Sequence, residues 1–196
     1  MSTASLSDRE LLAAWRDGDR EAADELIERY GPALYGFFAA KVRQGADLLC
    51  LRTFTAWKRP PTTELPEGVR ASLLALARRA LLEHLRPSGT ELDPRERSLA
   101  ELEPGLTEVV AAAAPERQLQ QGLRRLPIDD QLGLELRYFE GLDDDEIAAV
   151  LGSDAATMRR RLSAAAQRLQ RWLEQAHAVA DDTIQAAASH DDRSSS

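Results

Sequence analysis

The feature that most constrains the fold is a pair of helical segments near the C-terminus, separated by a very short turn that begins with a glycine. The first segment opens with the acidic run 143–146, and negative charge suits the positive end of a helix dipole. Gly152 follows its last apolar residue, where glycine often ends a helix. Asp154 is a good N-cap for the second segment, whose apolar residues recur at helical spacing. The pattern predicts two helices joined by a very short turn.

The second predicted helix has a basic face. Residues 155–173 include five arginines and no acidic residue. On a helical wheel, Arg160, Gln167 and Arg171 point away from the apolar stripe, and the arginines at 159, 161 and 168 flank it. Arginine is expected both for phosphate contacts and for reading guanine in the major groove. A solvated amphipathic helix is the alternative, but the short turn and the preceding helix favour a DNA-reading helix-turn-helix.

The composition of the chain limits the other possibilities. Its 196 residues, 43% hydrophobic and 30% charged, are enough for one domain or two small ones with hydrophobic cores. No apolar run approaches the roughly 20 residues of a membrane span, and the N-terminus lacks a signal-peptide core. Cys50 is the single cysteine and the histidines are scattered, so we expect neither a disulfide nor a metal site. We therefore expect a cytoplasmic protein without cofactors or membrane insertion.

The net charge of −8 is unevenly distributed along the chain. Residues 1–86 carry 13 basic and 12 acidic groups, and residues 116–176 carry 9 and 11. Residues 87–115 carry two basic and six acidic groups, and residues 177–196 carry one and four. Most of the excess acidity thus lies outside the predicted domains. An acidic protein can bind DNA if its positive groups converge, but we expect weak DNA affinity from the chain alone.

Apolar residues at helical spacing predict an all-α protein with two small helical domains. Four apolar stripes predict a helical bundle over residues 1–86, and Gly18 is a point where the first stripe can split into two helices. Four prolines and an acidic excess predict a flexible linker over residues 87–115. A second helical domain is expected over residues 116–177, and the acidic tail 178–196 is expected to be disordered.

Two widely separated segments carry the motifs of one protein family. The motif residues of the C-terminal segment are Leu126, Pro127, Leu136, Arg137, Tyr138, Phe139, Glu140, Gly141, Leu142, Glu146, Ile147, Ala148, Leu151, Gly152, Thr157, Arg159, Arg161 and Leu162. This segment resembles, without gaps, region 4 of the extracytoplasmic-function (ECF) sigma factors of the sigma-70 family. The segments that start at Ser7 and at Ser72 are similar to parts of the family's region 2, and the second ends in a D-H-L-R-like motif.

The resemblance implies a promoter-specificity subunit that binds core RNA polymerase and promoter DNA, with an anti-sigma factor as a further partner. Region 2 would dock on the polymerase clamp and open the minus-10 element, and region 4 would read the minus-35 element. The implied minus-35 contacts are Thr157, Arg159, Arg160, Arg161, Ser163, Gln167 and Arg168. The implied minus-10 contacts are Lys58, Arg59, Arg78, Arg79, His84 and Arg86. The implied polymerase contacts are Asp47, Leu48, Leu51, Arg52 and Phe54.

Two other classes of function stay open. In an ungapped alignment, Cys50 and Leu51 stand where the family pattern has polar Gln and Glu. One alternative is therefore a degenerate sigma-like regulator that binds DNA without docking on polymerase. The other is a helical module that sequesters a partner through its acidic segments. An enzyme with a small-molecule substrate is the least expected class, because no nucleophile with its base and no phosphate-binding glycine loop is evident.

Overall fold

The computed structural model describes residues 6–59, 66, 68–86, 90–104 and 114–191, with the backbone alone for 114 and 179–191. Over these ranges the helices are α1 (Asp8–Arg16), α2 (Arg20–Ala39), α3 (Ala46–Lys58), α4 (Val69–Leu85), α5 (Leu99–Leu102), α6 (Ala114–Arg124), α7 (Ile128–Tyr138), α8 (Asp144–Leu151) and α9 (Ala155–Asp191). Because these ranges contain no strand, the predicted all-α class is confirmed. In the part of the chain described, no helix is long and apolar enough to cross a lipid bilayer.

Helices α1 to α4 form a bundle, the first half of the molecule, around a cluster of aromatic rings. α1 and α2 are separate helices, as the glycine between them suggested, because Gly18 has a φ of 106° that favours glycine. Trp57 is fully buried, and its ring packs edge-on against Trp15 and Tyr30 with centroids 6.2 and 5.7 Å away. The Trp57 indole N–H donates to Ser72 Oγ at 2.9 Å, so the polar atom of this fully buried side chain has a hydrogen-bond partner.

Helices α6 to α9 form the second half, which contains the helix-turn-helix of α8 and α9. α8 begins with a capping box in which Asp143 accepts from the first-turn backbone and Glu146 accepts from the Asp143 N–H. Gly152 ends the helix with a φ of 66°. Asp154 then accepts from the backbone N–H of Thr157 at 2.8 Å, which starts α9. The predicted pair of helices and their short turn are therefore present.

The linker between the halves is structured over residues 90–104, where the sequence predicted flexibility. Leu99 in α5 is fully buried. The backbone N–H groups of Ile128 and Asp129 donate to the linker carbonyls of Arg97 and Pro94, both at 2.9 Å. The first N–H groups of a helix have no partner within that helix, so the linker carbonyls satisfy the open end of α7. Residues 87–89 and 105–113 of the predicted linker lie outside the described residues.

The C-terminal tail also differs from expectation over most of its length. The backbone of α9 continues from the helix-turn-helix to Asp191, whereas disorder was predicted from residue 178. Residues 155–191 contain no glycine or proline and many alanines, so nothing in their sequence interrupts the helix. Acidic composition was therefore a poor guide to backbone structure here. Residues 192–196 lie outside the described residues.

Candidate nucleic-acid interface

The N-terminal part of α9 separates an apolar face from a polar one. Met158 and Leu162 are buried at 0% and 1% exposure in the core of the second half. Arg160, Ser163 and Gln167 are exposed on the other side of the helix. These three follow one another at steps of three and four residues, so they form one continuous stripe along the helix surface. A helix that lies in the major groove of DNA presents an exposed polar stripe of this kind to the bases.

Two arginines beside this stripe share one buried carboxylate. Asp130 of α7 has only 3% of its side chain exposed. Its Oδ1 accepts from Nε and Nη2 of Arg161 at 3.0 and 2.6 Å, and its Oδ2 accepts from Nη2 of Arg168 at 3.1 Å. A guanidinium has five N–H donors, so each arginine keeps donors free for a second anion such as a DNA phosphate. Asp130 therefore fixes the positions of both guanidinium groups relative to the exposed stripe.

The second turn of α9 carries two arginines, Arg159 and Arg160, with different surroundings. Nε of Arg159 donates to Asp144 of α8 at 2.7 Å, and Arg137 of α7 pairs with the same carboxylate. Arg160 is exposed and makes no ion pair with the described residues. Arg160 is thus the arginine of this turn whose charge is available without breaking an internal contact.

The N-cap of α9 fixes the start of the helix beside these arginines. Hydrogen bonds from the side chain and backbone of Thr157 hold the pKa of the Asp154 carboxyl below its ordinary value. The carboxylate therefore stays ionised at neutral pH and keeps accepting from the first turn. Thr157 is half-buried at this cap, which places it beside the stripe rather than on it.

A basic cleft lies next to the start of α9. It has a volume of about 510 Å³ and its lining includes Arg95, Arg161 and Arg168, together with Asp130 and Asp154. Arg95 belongs to the structured linker, and the sequence analysis did not include it among the DNA contacts. The cleft brings three positive charges and two negative ones together. A linker arginine thus adds to the positive charge near the recognition helix in this conformation.

The candidate minus-10 residues fall into two groups. Arg78 of α4 is bound within the protein, because its Nε and Nη2 donate to Asp129 at 2.9 and 3.1 Å. Arg79 is exposed and pairs with Glu83 one turn along the same helix. The other candidates are exposed at the ends of α3 and α4: Lys58, Arg59, His84 and Arg86. Residues 60–65 and 67 of the loop between these helices lie outside the described residues.

The candidate polymerase contacts lie on α3, and one of them is not on the surface. Leu48 and Leu51 are large apolar side chains with 48% and 63% exposure, and Asp47 and Arg52 are exposed beside them. Phe54 is 8% exposed. It packs against the rings of Trp15 and Trp57, because the apolar spacing of α3 turns it toward the bundle. In this conformation Phe54 is a core residue and cannot be a direct polymerase contact.

Sequence reasoning missed the acidic residues that organise the site. Asp129 and Asp130 are 1% and 2% exposed, yet they follow each other at the start of α7. Adjacent aspartates in a first turn are readily explained by the helix dipole, so their sequence position alone gave no reason to expect burial. The one sequence signal for their burial is the surplus of basic residues on α4 and α9. Basic side chains that pack against α7 need acidic partners on that helix.

The fold and the site together define a helix-turn-helix domain packed against a second helical bundle. The family model of sigma-70 region 4 matches residues 116–169, from α6 to the middle of α9. The match confirms the predicted resemblance of this segment to sigma-70 region 4.

Comparison with solved structures agrees with the fold. Nine chains of solved structures match. One of them, from the structure of CnrH in complex with the cytosolic domain of CnrY, is 23% identical with a TM-score of 0.61. The match covers 86% of this chain and 97% of that chain. At this identity the likeness shows the fold alone. No curated protein matches the chain significantly.

Proposed function

We propose that the protein is a sigma factor of the extracytoplasmic-function type, which directs core RNA polymerase to promoters and initiates transcription there. The observation that carries the proposal is the exposed polar stripe of α9 on a helix-turn-helix that matches sigma-70 region 4. Such a helix reads base edges with the side chains of its outer face and is anchored by phosphate contacts on either side. The second half is accordingly the minus-35 reader.

The proposed contacts divide by their surroundings. Arg160 and Ser163 reach base edges. Arg159 joins them when its guanidinium leaves Asp144 and contacts DNA instead. The two arginines that Asp130 holds contact phosphates, because their positions are fixed while some of their donors stay free. The full set of proposed minus-35 contacts is Thr157, Arg159, Arg160, Arg161, Ser163, Gln167 and Arg168.

The first half is proposed to bind polymerase and the minus-10 element. The exposed leucines of α3, Leu48 and Leu51, form an apolar surface that suits a protein partner. Basic side chains at the ends of α3 and α4 are accessible to a DNA backbone. The proposed minus-10 contacts are Lys58, Arg59, Arg78, Arg79, His84 and Arg86, and the proposed polymerase contacts are Asp47, Leu48, Leu51 and Arg52.

An inhibitory protein partner is also proposed. The structure with a similar fold contains CnrH bound to the cytosolic domain of CnrY. A partner of that kind would keep the protein from polymerase until a signal releases it. The exposed aromatic pair Tyr138 and Phe139, with 69% and 65% exposure, is an apolar surface that such a partner could cover.

A degenerate DNA-binding regulator is the second candidate function. Leu51 is an exposed leucine where the family pattern has an acidic residue, so one expected charged contact with the polymerase clamp is missing. Such a regulator would keep the polar stripe of α9 and its DNA affinity while lacking the ability to form a polymerase complex.

Polymerase binding separates the two candidates. The purified chain is mixed with core RNA polymerase of the native host, and the complex is isolated by size exclusion and tested for promoter-selective initiation on a genomic fragment library. Complex formation with selective transcripts is expected. Binding of the free chain to DNA, without any polymerase complex, would instead favour the regulator.

Arg160→Ala tests the minus-35 assignment within that assay. We expect promoter recognition to weaken by roughly 1–3 kcal/mol, with one minus-35 position relaxed, because a base-reading side chain is lost. Arg117→Ala is the matched control, since Arg117 is an exposed arginine on a different helix, α6. An unchanged promoter preference in Arg160→Ala would remove Arg160 from the reading surface.

A further inference from the structure

The cleft beside the start of α9 owes its positive charge to a residue of the linker. Arg161 and Arg168 of α9 line this cleft, and so do the carboxylates of Asp130 and Asp154. The charges of these four side chains cancel. Arg95 is the fifth charged residue of the lining, and it leaves the cleft with one net positive charge. The linker therefore decides the sign of the charge that an ion meets in this cleft.

The backbone around Arg95 is fixed, although its side chain is exposed. Residues 94–96 form a turn in which the N–H of Arg95 donates to Oδ1 of Asp93 at 2.8 Å. On either side of Arg95, the carbonyl oxygens of Pro94 and Arg97 accept from the first N–H groups of α7. Because the fold already holds this backbone, an anion that binds the Arg95 guanidinium has to order only one side chain.

Arg95 is the arginine of the cleft whose donors are all available. Its side chain makes no ion pair or hydrogen bond with the residues that the structure describes. Arg161 uses Nε and Nη2 on Asp130, and Arg168 uses Nη2 on Asp130 and Nε on the carbonyl of Ala164. A phosphodiester has two unbridged oxygens, and the fork of a guanidinium can bind both at once. Arg95 can therefore offer an anion a complete fork.

The cleft lies on the flank of the helix that reads DNA in the proposed function. Arg161 and Arg168 are seven residues apart, so they lie two turns, or about 10 Å, apart along one side of α9. The exposed stripe of Arg160, Ser163 and Gln167 lies on the adjoining side. A recognition helix in the major groove has a phosphate backbone on each side of it. A duplex that the stripe reads would therefore bring one backbone past the cleft.

We propose that this cleft binds a backbone phosphate of duplex DNA, and that Arg95 of the linker is a DNA contact that acts together with Arg161 and Arg168. Both carboxylates of the cleft, Asp130 and Asp154, already accept hydrogen bonds from the protein, so they leave the Arg95 guanidinium to the phosphate. A phosphate contact adds affinity without base preference. The inference rests on the proposed minus-35 role of the second half and adds a linker residue to that surface.

The salt dependence of DNA binding tests the contact. The full chain is titrated against a duplex that it selects from a genomic fragment library, and against the same duplex with its sequence scrambled. Each neutralised phosphate contributes about 0.9 to the slope of log affinity against log salt concentration, so Arg95→Ala should lower that slope by about 0.9. Its affinity deficit should then shrink about 3.5-fold between about 50 and 200 mM salt. The deficit should be equal on both duplexes.

Matched variants separate the contact from net charge and from folding. Arg97→Ala removes the same charge two residues along the linker, where Arg97 pairs with Glu101 and does not line the cleft. Its salt slope should equal that of the unmodified chain. Arg95→Lys keeps a positive charge and should keep the slope, because lysine binds phosphate as a point charge. All three variants should unfold at the Tm of the unmodified chain, since both arginines are exposed.

Phosphate ethylation locates the contact on the duplex, because it removes the charge of one phosphate at a time. At one phosphate beside the bases that α9 reads, ethylation should weaken binding of the unmodified chain more than binding of Arg95→Ala. Equal salt slopes and equal ethylation patterns in these two proteins would overturn the linker contact and leave the minus-35 role standing. A changed base preference in Arg95→Ala would also overturn it. If the unmodified chain binds no duplex at low salt, the minus-35 role and the phosphate site both fail.

Discussion

Replacing Asp130 with alanine should destabilise the protein by about 2–3 kcal/mol. Truncating one partner of a fully buried ion pair costs about 3–5 kcal/mol, because the other charge remains buried without a counterion. The Asp130 carboxylate is 3% exposed, but the side chains of Arg161 and Arg168 keep 21% and 45% of their surface exposed. Water can solvate part of the orphaned charge, and an exposed pair contributes only about 0–1 kcal/mol. The loss should therefore fall at or below the lower end of the buried range.

Urea unfolding followed by circular dichroism measures this free energy directly. In a thermal scan the same loss should lower the Tm by about 4–12 °C, since a chain of this size shifts about 2–4 °C per kcal/mol. Asp145→Ala is the matched control, because Asp145 is an exposed carboxylate in the first turn of α8. Its loss removes only a helix-dipole interaction of about 0.3–1 kcal/mol.

The comparison of Asp130→Ala with Asp145→Ala tests whether the Asp130 carboxylate stabilises the fold through its two arginines. If Asp130→Ala costs no more free energy of unfolding than Asp145→Ala, the carboxylate does not hold the two arginines in solution. Asp130→Asn provides a second check, because its amide oxygen can accept from one arginine while its charge is gone. The free energy of unfolding of Asp130→Asn should lie between that of Asp130→Ala and that of the unmodified chain.

Three further outcomes are expected. Gly122→Ala should lower the unfolding free energy by about 1 kcal/mol in urea titrations, because the new Cβ would lie 2.7 Å from Cε3 of Trp172 and overpacking outweighs the gain in helix propensity. Asp154→Ala should lower the Tm at neutral pH. Because the pKa of Asp154 is lowered in the folded protein, the stability that this carboxylate contributes is present above the ordinary carboxyl pKa and is lost as pH falls through the folded pKa. The Tm values of Asp154→Ala and of the unmodified chain should therefore converge in acid. Tyr30→Phe should remove the last step of the alkaline absorbance titration, because burial raises the pKa of Tyr30 to about 12, and the stability linked to that shift is lost as pH rises through that value.

The sequence predicted the helices well where local signals were strong. Gly18 and Gly152 have the positive φ angles that end or separate helices, and both positions were predicted as helix boundaries. Asp154 caps α9 as its residue type suggested. Capping and periodicity are properties of a few neighbouring residues, so they can be recognised without knowledge of the three-dimensional arrangement.

The contacts that organise the site could not be predicted in this way. Asp130 meets Arg161 across 31 residues, and Arg78 meets Asp129 across 51. Such pairs depend on how helices cross, and helical periodicity gives only the face that each helix buries. The linker shows the same limit: its proline and acidic content predicted flexibility, but the open end of α7 supplied hydrogen-bond donors for its carbonyls.

Phe54 illustrates how two kinds of sequence information can conflict. Its position within a family-like motif implied a polymerase contact, but Phe54 also lies three residues before Trp57, a spacing that places both side chains on one face of the helix. The structure places it in the core at 8% exposure, beside Trp15 and Trp57. A motif records which residue types recur together, and some of them recur because they hold the helix in place. Spacing was the better guide because burial follows directly from it.

The burial of acidic side chains explains how an acidic domain can present a basic helix. Residues 116–176 carry more acidic than basic groups, yet the exposed side of α9 is positive. Asp129 and Asp130 lie inside the molecule instead of facing solvent: Asp129 pairs with one arginine of α4, and Asp130 pairs with two arginines of α9. Glu135 pairs in the same way with Lys41. Net charge therefore does not give the sign of the surface that α9 exposes, because several of the carboxylates that lower it are buried against arginine and lysine side chains instead of facing DNA.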